Sequence, residues 1–357
     1  MQIKAAVVSE KSAPFVIDTL ELTAPRPDEL IVRVVASGMC QTDLHGRDGY
    51  FGSPYPAVYG HEGAGVVHAV GDAVRDFAPG DHVVMSYPWC GDCANCRDGQ
   101  TNHCLHGRKL KMLGTRLDDT TLLSKNGAPV YSAFFQQSSF GTFALTQARW
   151  AVKVRKDAPL EQLGPLACSG QTGAGAVLNV MQPNPGDSIA IFGVGAVGLS
   201  ALMAAKIAGC DPIVAVDVHA HRLVLAKELG ATHAIDYRSC GDVVGEIRKL
   251  TGSGVRYAAD TSAVPAVLRQ AIEALMPGGM CTLLGSAPKG TDASFEMPFL
   301  QQGRSVPKEF IPRLVDLVVE GKFPLEKMIT FYELADINRA AQESSSGKTI
   351  KPVLRMP

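Results

Sequence analysis

Cys90, Cys93, Cys96 and Cys104 place four thiols in one short stretch, spaced Cys-x2-Cys-x2-Cys-x7-Cys. Thiols repeated at such intervals can converge on one ion, and four thiolates complete the closed tetrahedral shell of a structural zinc. That shell leaves no position open for a substrate. Disulfides are the competing reading. Two residues between successive thiols disfavour four-way pairing, and nothing else in the chain points to secretion. The cluster reads as a scaffold site and raises the question of a second, open metal site elsewhere.

The next constellation is Gly193-Val194-Gly195-Ala196-Val197-Gly198. It follows an apolar strand, Ser188–Phe192, and opens an Ala- and Leu-rich helix, Val197–Ala208. Gly193, Gly195 and Gly198 suit a tight turn, a close approach to a pyrophosphate and tight helix–strand packing. The helix N-terminus adds free amides for the phosphates. Asp217 ends the next strand at about the spacing of a ribose-binding carboxylate. It would accept hydrogen bonds from the adenosine ribose and repel a 2′-phosphate, which favours NAD over NADP. Arg222 could line the same ribose and soften that rejection. The plainer alternative is a glycine-rich packing turn with Asp217 as a helix cap.

Cys40, His61 and Cys168 are scattered along the chain. On spacing alone they read as readily as ordinary core residues. Brought together, two thiolates and an imidazole would make the open Cys2His site of a catalytic zinc.

The elements that must position these groups divide by texture. The first 150 residues are rich in Gly, Pro and short β-branched runs, such as Leu30–Ala36 and Gly65–Val70, and predict an irregular, mostly β domain. From about residue 170 strands and helices alternate: Pro212–Asp217, Arg222–Leu229, Tyr257–Thr261, Val264–Leu275 and Met280–Leu284. Alternation implies a parallel sheet with helices on both faces. The last segment carries a helix, Phe310–Glu320, a polar loop, Glu343–Gly347, and a strand, Thr349–Leu354. The expected division is residues 1–169 with 306–357 in one domain and 170–305 in a dinucleotide-binding domain.

The 357 residues carry 34 basic and 35 acidic side chains and are 46% hydrophobic. That balance gives no footprint for nucleic acid or for an anionic membrane. No apolar run is long enough to span a bilayer, and Met1–Val8 reads as a strand rather than a signal peptide. A reducing cytoplasm suits so many thiols.

Together these motifs resemble the zinc-containing medium-chain alcohol dehydrogenases along nearly the whole chain, in particular the benzyl (aryl) alcohol dehydrogenase branch. The resemblance rests on Cys40-Gln41-Thr42-Asp43, Gly60-His61-Glu62 with Gly65 and Gly71, the four-cysteine lobe, Gly164–Cys168, Gln171–Gly175, and Gly193–Gly198 with Asp217. It implies a GroES-like mostly β catalytic domain and a doubly wound Rossmann domain. It implies two zinc ions per chain, with Cys40, His61 and Cys168 holding the catalytic one. Asp43 would orient His61, and Glu62 would be a carboxylate able to approach the metal. Thr42 and His45, with the cofactor ribose, would relay the alcohol proton to solvent; histidine suits such a role near neutral pH. Thr172 and Val197 would pack on the nicotinamide. Phe51, Tyr87, Trp89, Phe134 and Phe135 would fall at or near the substrate pocket, though some are expected to be plain core aromatics. Aromatic walls suit a flat apolar alcohol, whether benzyl, cinnamyl or allylic. Phe51 speaks against a glutathione adduct, and Cys168, where polyol dehydrogenases tend to carry Glu, against a sugar alcohol. A short aliphatic or secondary alcohol, or a non-catalytic protein of the same fold, are the alternatives. A homodimer or homotetramer is the implied assembly.

Two departures stand out. Gln41 replaces a basic residue that often faces the pyrophosphate. After Gln302–Val306 the chain runs directly into Pro307-Lys308-Glu309-Phe310, where the family pattern has a further strand and loop.

Overall fold

The computed structural model describes residues 1–287, 290–295 and 312–357. The apparent shortening after Val306 lies outside the described residues. The chain divides into two compact units, Met1–Cys168 with Ile329–Pro357, and Ser169–Met328. The sequence placed the return to the first unit at 306. Helix Pro312–Val319 instead packs against helix Ser169–Gly175 in the second unit, burying Leu314, Val315 and Leu317.

The first unit is mostly β. One sheet orders Ala57–Val58, Gln2–Val8, Val16–Leu22, Leu123–Lys125 and Ala128–Val130. The other centres on Glu29–Gly38, whose residues are nearly all buried, as expected of a Val-rich strand covered on both faces. Glu62–Val70 pairs along one edge of this strand. On the other edge Phe143–Gln147 takes Glu29–Arg33, and Lys351–Arg355 takes Ala36–Gly38. The chain's last strand is thereby threaded beside one of its earliest. Register places Gly38 opposite both Glu62 and Val353. Three strand ends therefore meet at one point, with Cys40 and His61 just beyond two of them and Lys351 as the first residue of the third.

The stretch Glu343–Gly347 is not a loop throughout: helix Ile337–Ser345 runs into it. Ile337, Ala340 and Ala341 give that helix its buried stripe, and the serines lie on its polar end.

The second unit holds a five-stranded parallel sheet in the order His233–Asp236, Ile213–Asp217, Ile189–Phe192, Val255–Asp260, Leu275–Leu283. Ile189–Phe192 and Ile213–Asp217 are buried throughout, which is why they read as unbroken apolar runs. The order reverses beside Ile189–Phe192, the position at which doubly wound sheets open a crevice for ligands. Helix Ala196–Ile207 starts at that point. Among the described residues no helix is long and apolar enough to cross a membrane.

Candidate functional site

Cys40 follows the central strand by two residues and caps the short helix Gln41–Arg47. His61 immediately precedes strand Glu62–Val70, and Cys168 closes the helical turn Gly164–Ala167. Ligand atoms of Cys40, His61, Glu62 and Cys168 all lie within 4.8 Å of one another. The strand pairing thus joins residues that their spacing left apart.

Asp43 locks this arrangement. Its fully buried carboxylate accepts from the Cys40 amide at 2.9 Å and the Gly60 amide at 3.0 Å, and it meets His61 Nδ1 at 2.8 Å. With Nδ1 committed, Nε2 faces the two sulfurs. That nitrogen is buried and has no hydrogen-bond partner. A buried nitrogen without a partner is costly unless something occupies its lone pair or proton. Burial alone would pull the imidazole pKa down, but the Asp43 charge overrides it and holds the ring at about 10. A cation on Nε2 would replace that proton.

The two sulfurs behave as a pair. Hydrogen bonding from Cys168 lowers the Cys40 thiol well below its usual range, and the resulting Cys40 charge with burial pushes Cys168 well above it. The first thiol proton leaves easily and the second needs a compensating cation. Orphaned Nε2, paired thiols and a nearby carboxylate are a donor set that fits zinc.

Lys351, which the sequence reading passed over, reaches this point from the last strand. Its Nζ lies 2.9 Å from Glu62 Oε1 and donates to the Met39 carbonyl at 3.3 Å. Burial raises the Glu62 carboxyl, against the pull of Lys351. The available signal was a lysine heading the short terminal strand Lys351–Arg355.

Aromatic side chains wall the site. Phe135 lies flat on the His61 ring, centroids 4.4 Å apart and planes 24° apart. Phe134 meets His61 edge-on at 5.8 Å, and Tyr87 approaches Phe135 at 5.3 Å. Phe134 and Phe135 are themselves buried. The turn that carries them is strained: Phe135, Gln136 and Ser138 all take positive φ, at 50°, 57° and 46°. Side-chain amides hold it there. Gln137 Nε2 donates to the His61 and Met85 carbonyls, and its Oε1 accepts from the Gly63 amide. Strain of this kind persists only where the surroundings over-determine it. Gln137 was missed because nothing in its sequence neighbourhood marks it.

His45 sits one turn along from Cys40, stacked on Tyr50 at 4.6 Å with Phe51 edge-on at 6.4 Å. Thr42 Oγ1 is 3.7 Å from Cys40 Sγ. Gln41 is exposed. Trp89 departs from expectation. It packs under Arg149, whose guanidinium is 5.5 Å from its ring, beside the cysteine lobe.

In that lobe the four sulfurs of Cys90, Cys93, Cys96 and Cys104 also lie within 4.8 Å of one another. Helix Ala94–Arg97 begins at Cys93, and the turn Thr101–His103 delivers Cys104. Arg149 and Trp150 pin the entry by donating to the Cys90 and Trp89 carbonyls at 3.0 and 2.9 Å. A hydrogen bond from the Leu105 backbone brings the Cys93 thiol down to about 6, whereas burial pushes Cys90 up to about 12. Four ionised sulfurs at such separations require a cation between them, and the closed set fits structural zinc.

In the second unit Gly195 caps helix Ala196–Ile207 with no side-chain cap, so the first amides stay available. Gly193 takes φ +85°, and a Cβ on Gly198 would strike the Gly193 carbonyl. A Cβ on Gly195 would meet nothing nearer than Arg222 Nη1 at 3.7 Å, leaving the space a phosphate would use. Asp217 accepts from the Val194 amide and the His219 amide, each at 2.8 Å, and lies 3.9 Å from Arg222. It therefore ties down the glycine loop as well as starting the next helix. Gly173, next to Thr172 in the chain, lets helix Ser169–Gly175 approach the backbone of helix Ala196–Ile207 at Val197. These residues fit a dinucleotide.

Comparison with known proteins agrees with this geometry. Residues 26–156 match the alcohol dehydrogenase GroES-like domain, and residues 196–313 match the zinc-binding dehydrogenase domain. Geraniol dehydrogenase of Castellaniella defragrans is 43% identical, over 98% of this chain and 97% of that protein. The benzyl alcohol dehydrogenase structure from Acinetobacter calcoaceticus superposes with a TM-score of 0.95 at 41% identity, covering 100% of both chains. An alcohol dehydrogenase zinc-binding domain protein from Burkholderia ambifaria gives a TM-score of 0.97 at 48% identity, over 100% of this chain and 99% of that one. With both domain models matched in order around this pair of sulfur-rich clusters, the chain belongs to the zinc-containing medium-chain alcohol dehydrogenase family.

Proposed function

We propose that the protein is an NAD-dependent zinc alcohol dehydrogenase that interconverts aromatic or allylic primary alcohols and their aldehydes. The observation that carries the reading is the cluster of half-buried Cys40 with buried His61 and Cys168, with His61 Nε2 unpartnered and aromatic rings packed around it. Relatives named for geraniol and for benzyl alcohol support the substrate class.

When bound, zinc supplies the Lewis acidity that lets an alcohol release its proton near neutral pH, and NAD supplies the hydride acceptor. Cys40, His61 and Cys168 would hold that zinc, and the four lobe cysteines a second, structural one. Asp43 keeps His61 in the tautomer that leaves Nε2 available. Thr42 Oγ1 is the group proposed to take the hydrogen bond from the alcohol and pass its proton toward His45. Phe51, Tyr87, Phe134 and Phe135 exclude water and favour a flat apolar substrate. The glycine loop holds the pyrophosphate, and Asp217 takes the ribose. By the same resemblance the protein works as a homodimer or homotetramer in the cytoplasm.

Steady-state rates with benzyl alcohol, geraniol, ethanol and 2-butanol, each with NAD and NADP, test the proposal. The highest kcat/KM is expected for benzyl alcohol or geraniol with NAD. Dominant turnover of 2-butanol would replace it with the secondary-alcohol reading.

A further inference from the structure

Tyr87 is more than a wall of the pocket. Strand His82–Met85 leads to it, and its hydroxyl donates to Cys168 Sγ at 3.0 Å. The ring cannot swing freely. Lys111 Nζ sits 4.7 Å from its centroid, and Phe135 packs against it at 5.3 Å. The same Lys111 lies 5.8 Å from the Phe135 centroid, and Phe135 in turn stacks on His61. One cation and two rings therefore brace both the sulfur and the imidazole side of the triad.

We infer that Tyr87 is a positioning residue for the metal centre, whose hydroxyl fixes the Cys168 thiolate and draws electron density from it. The inference rests on the proposed function, since it needs Cys168 to be a ligand. Its physical basis is simple. A thiolate accepts a hydrogen bond far better than a neutral thiol does. A sulfur that shares its lone pair with a hydroxyl donates less charge to the ion, so the ion remains a stronger Lewis acid. Groups that hydrogen-bond a ligand in this way typically change metal affinity or activity by roughly 10–100-fold when lost. The bond also fixes the direction in which the Cys168 side chain points, which the half-buried Tyr87 can do only while its ring is clamped.

Tyr87→Phe removes the hydroxyl and keeps the ring, with its contacts to Lys111 and Phe135. Cobalt(II) replaces zinc as the probe, because thiolate-to-cobalt charge transfer reports directly on the sulfur. Cys168→Ala, prepared alongside, identifies the part of the absorption that belongs to this site rather than to the lobe. The Cys168-dependent band is expected to move to longer wavelength in Tyr87→Phe, where the sulfur is more electron-rich. Because the Cys168 side chain is then no longer held in place, transfer of cobalt from that site to a chelator is expected to accelerate by roughly 10-fold or more, outweighing the stronger donation of the freed sulfur. An unshifted band with an unchanged rate of metal loss overturns the role of Tyr87 and leaves the metal assignment standing. A native spectrum that Cys168→Ala leaves intact instead removes Cys168 from the metal site, and the two readings fall together. Loss of packing alone would not move the band, so the spectrum separates positioning from simple structural support.

Discussion

Lys351 Nζ lies 2.9 Å from Glu62 Oε1 in an ion pair sealed from solvent, between residues 289 positions apart in the chain. Pairing of Gly38 with Glu62 on one side and Val353 on the other brings them together. A buried pair of this kind need not be net stabilising, because both charges lose their hydration. Removing one partner is another matter, since the remaining charge is then buried alone. Lys351→Met is expected to lower the unfolding free energy by about 3–5 kcal/mol. Lys351→Met combined with Glu62→Gln should recover a large part of that loss. Denaturant midpoints of the three proteins measure it; a single variant as stable as the wild type would show that the pair does not hold the strands.

The two sulfur clusters should respond differently to the same chemistry. Cys96→Ser removes one of the four clustered lobe sulfurs proposed to hold a structural zinc. Its first effect is expected on the thermal midpoint and solubility, with zinc content falling from two to one per chain. Cys40→Ser opens the cluster of Cys40, His61 and Cys168 instead. Turnover should vanish while the fold and the lobe zinc persist. Metal analysis beside calorimetry distinguishes the two, and equal thermal loss in both variants would contradict the division of labour.

What could be read from the sequence followed how local each feature is. Cys90 to Cys104 lie on one loop, so their spacing alone predicted convergence. Gly193 to Gly198 lie on one strand–turn–helix, and Asp217 on the next strand, so that motif also declared itself. Cys40, His61 and Cys168 converge only because distant strands pair. Spacing left them ambiguous, and family resemblance linked them. Gln137 and Lys351 act through long-range contacts that no periodicity encodes. Helix Gln41–Arg47 is too short to show an amphipathic pattern. Family resemblance put Trp89 at or near the pocket, but it stacks under Arg149 beside the cysteine lobe.

Cofactor choice should turn on Asp217, with a complication. Its carboxylate accepts from the Val194 and His219 amides, so it shapes the glycine loop in addition to its proposed role at the ribose. Alanine would discard both functions together. Asp217→Asn keeps one acceptor and removes the charge that repels a 2′-phosphate, close to the Arg222 guanidinium. The ratio of kcat/KM for NADP over NAD is expected to rise by roughly 10-fold, about 1.4 kcal/mol, with KM for NAD also rising. A ratio that does not move would assign discrimination to other residues.

Glu343, which is not among the clustered metal-ligating side chains, offers a test of pH dependence. Its carboxylate pairs with Lys348 Nζ at 2.7 Å and accepts from the Tyr332 hydroxyl at 2.6 Å, and Tyr332 in turn meets Thr349 Oγ1 at 2.7 Å. Lys348 first, and Tyr332 next, hold the carboxyl down at about 2, against 4.5 for an unperturbed glutamate. A depressed carboxyl stabilises the fold only while it is ionised. That contribution is complete above the unfolded value near 4.5 and disappears as pH falls through the folded value near 2. Glu343→Gln keeps an acceptor for Tyr332 but has no charge to lose. The difference in thermal midpoint between wild type and Glu343→Gln should therefore be constant from neutral pH down to about 4.5 and shrink steadily below it. A difference independent of pH across that window would mean that the charge contributes nothing, and that the hydrogen bonds alone join helix Ile337–Ser345 to the terminal strands.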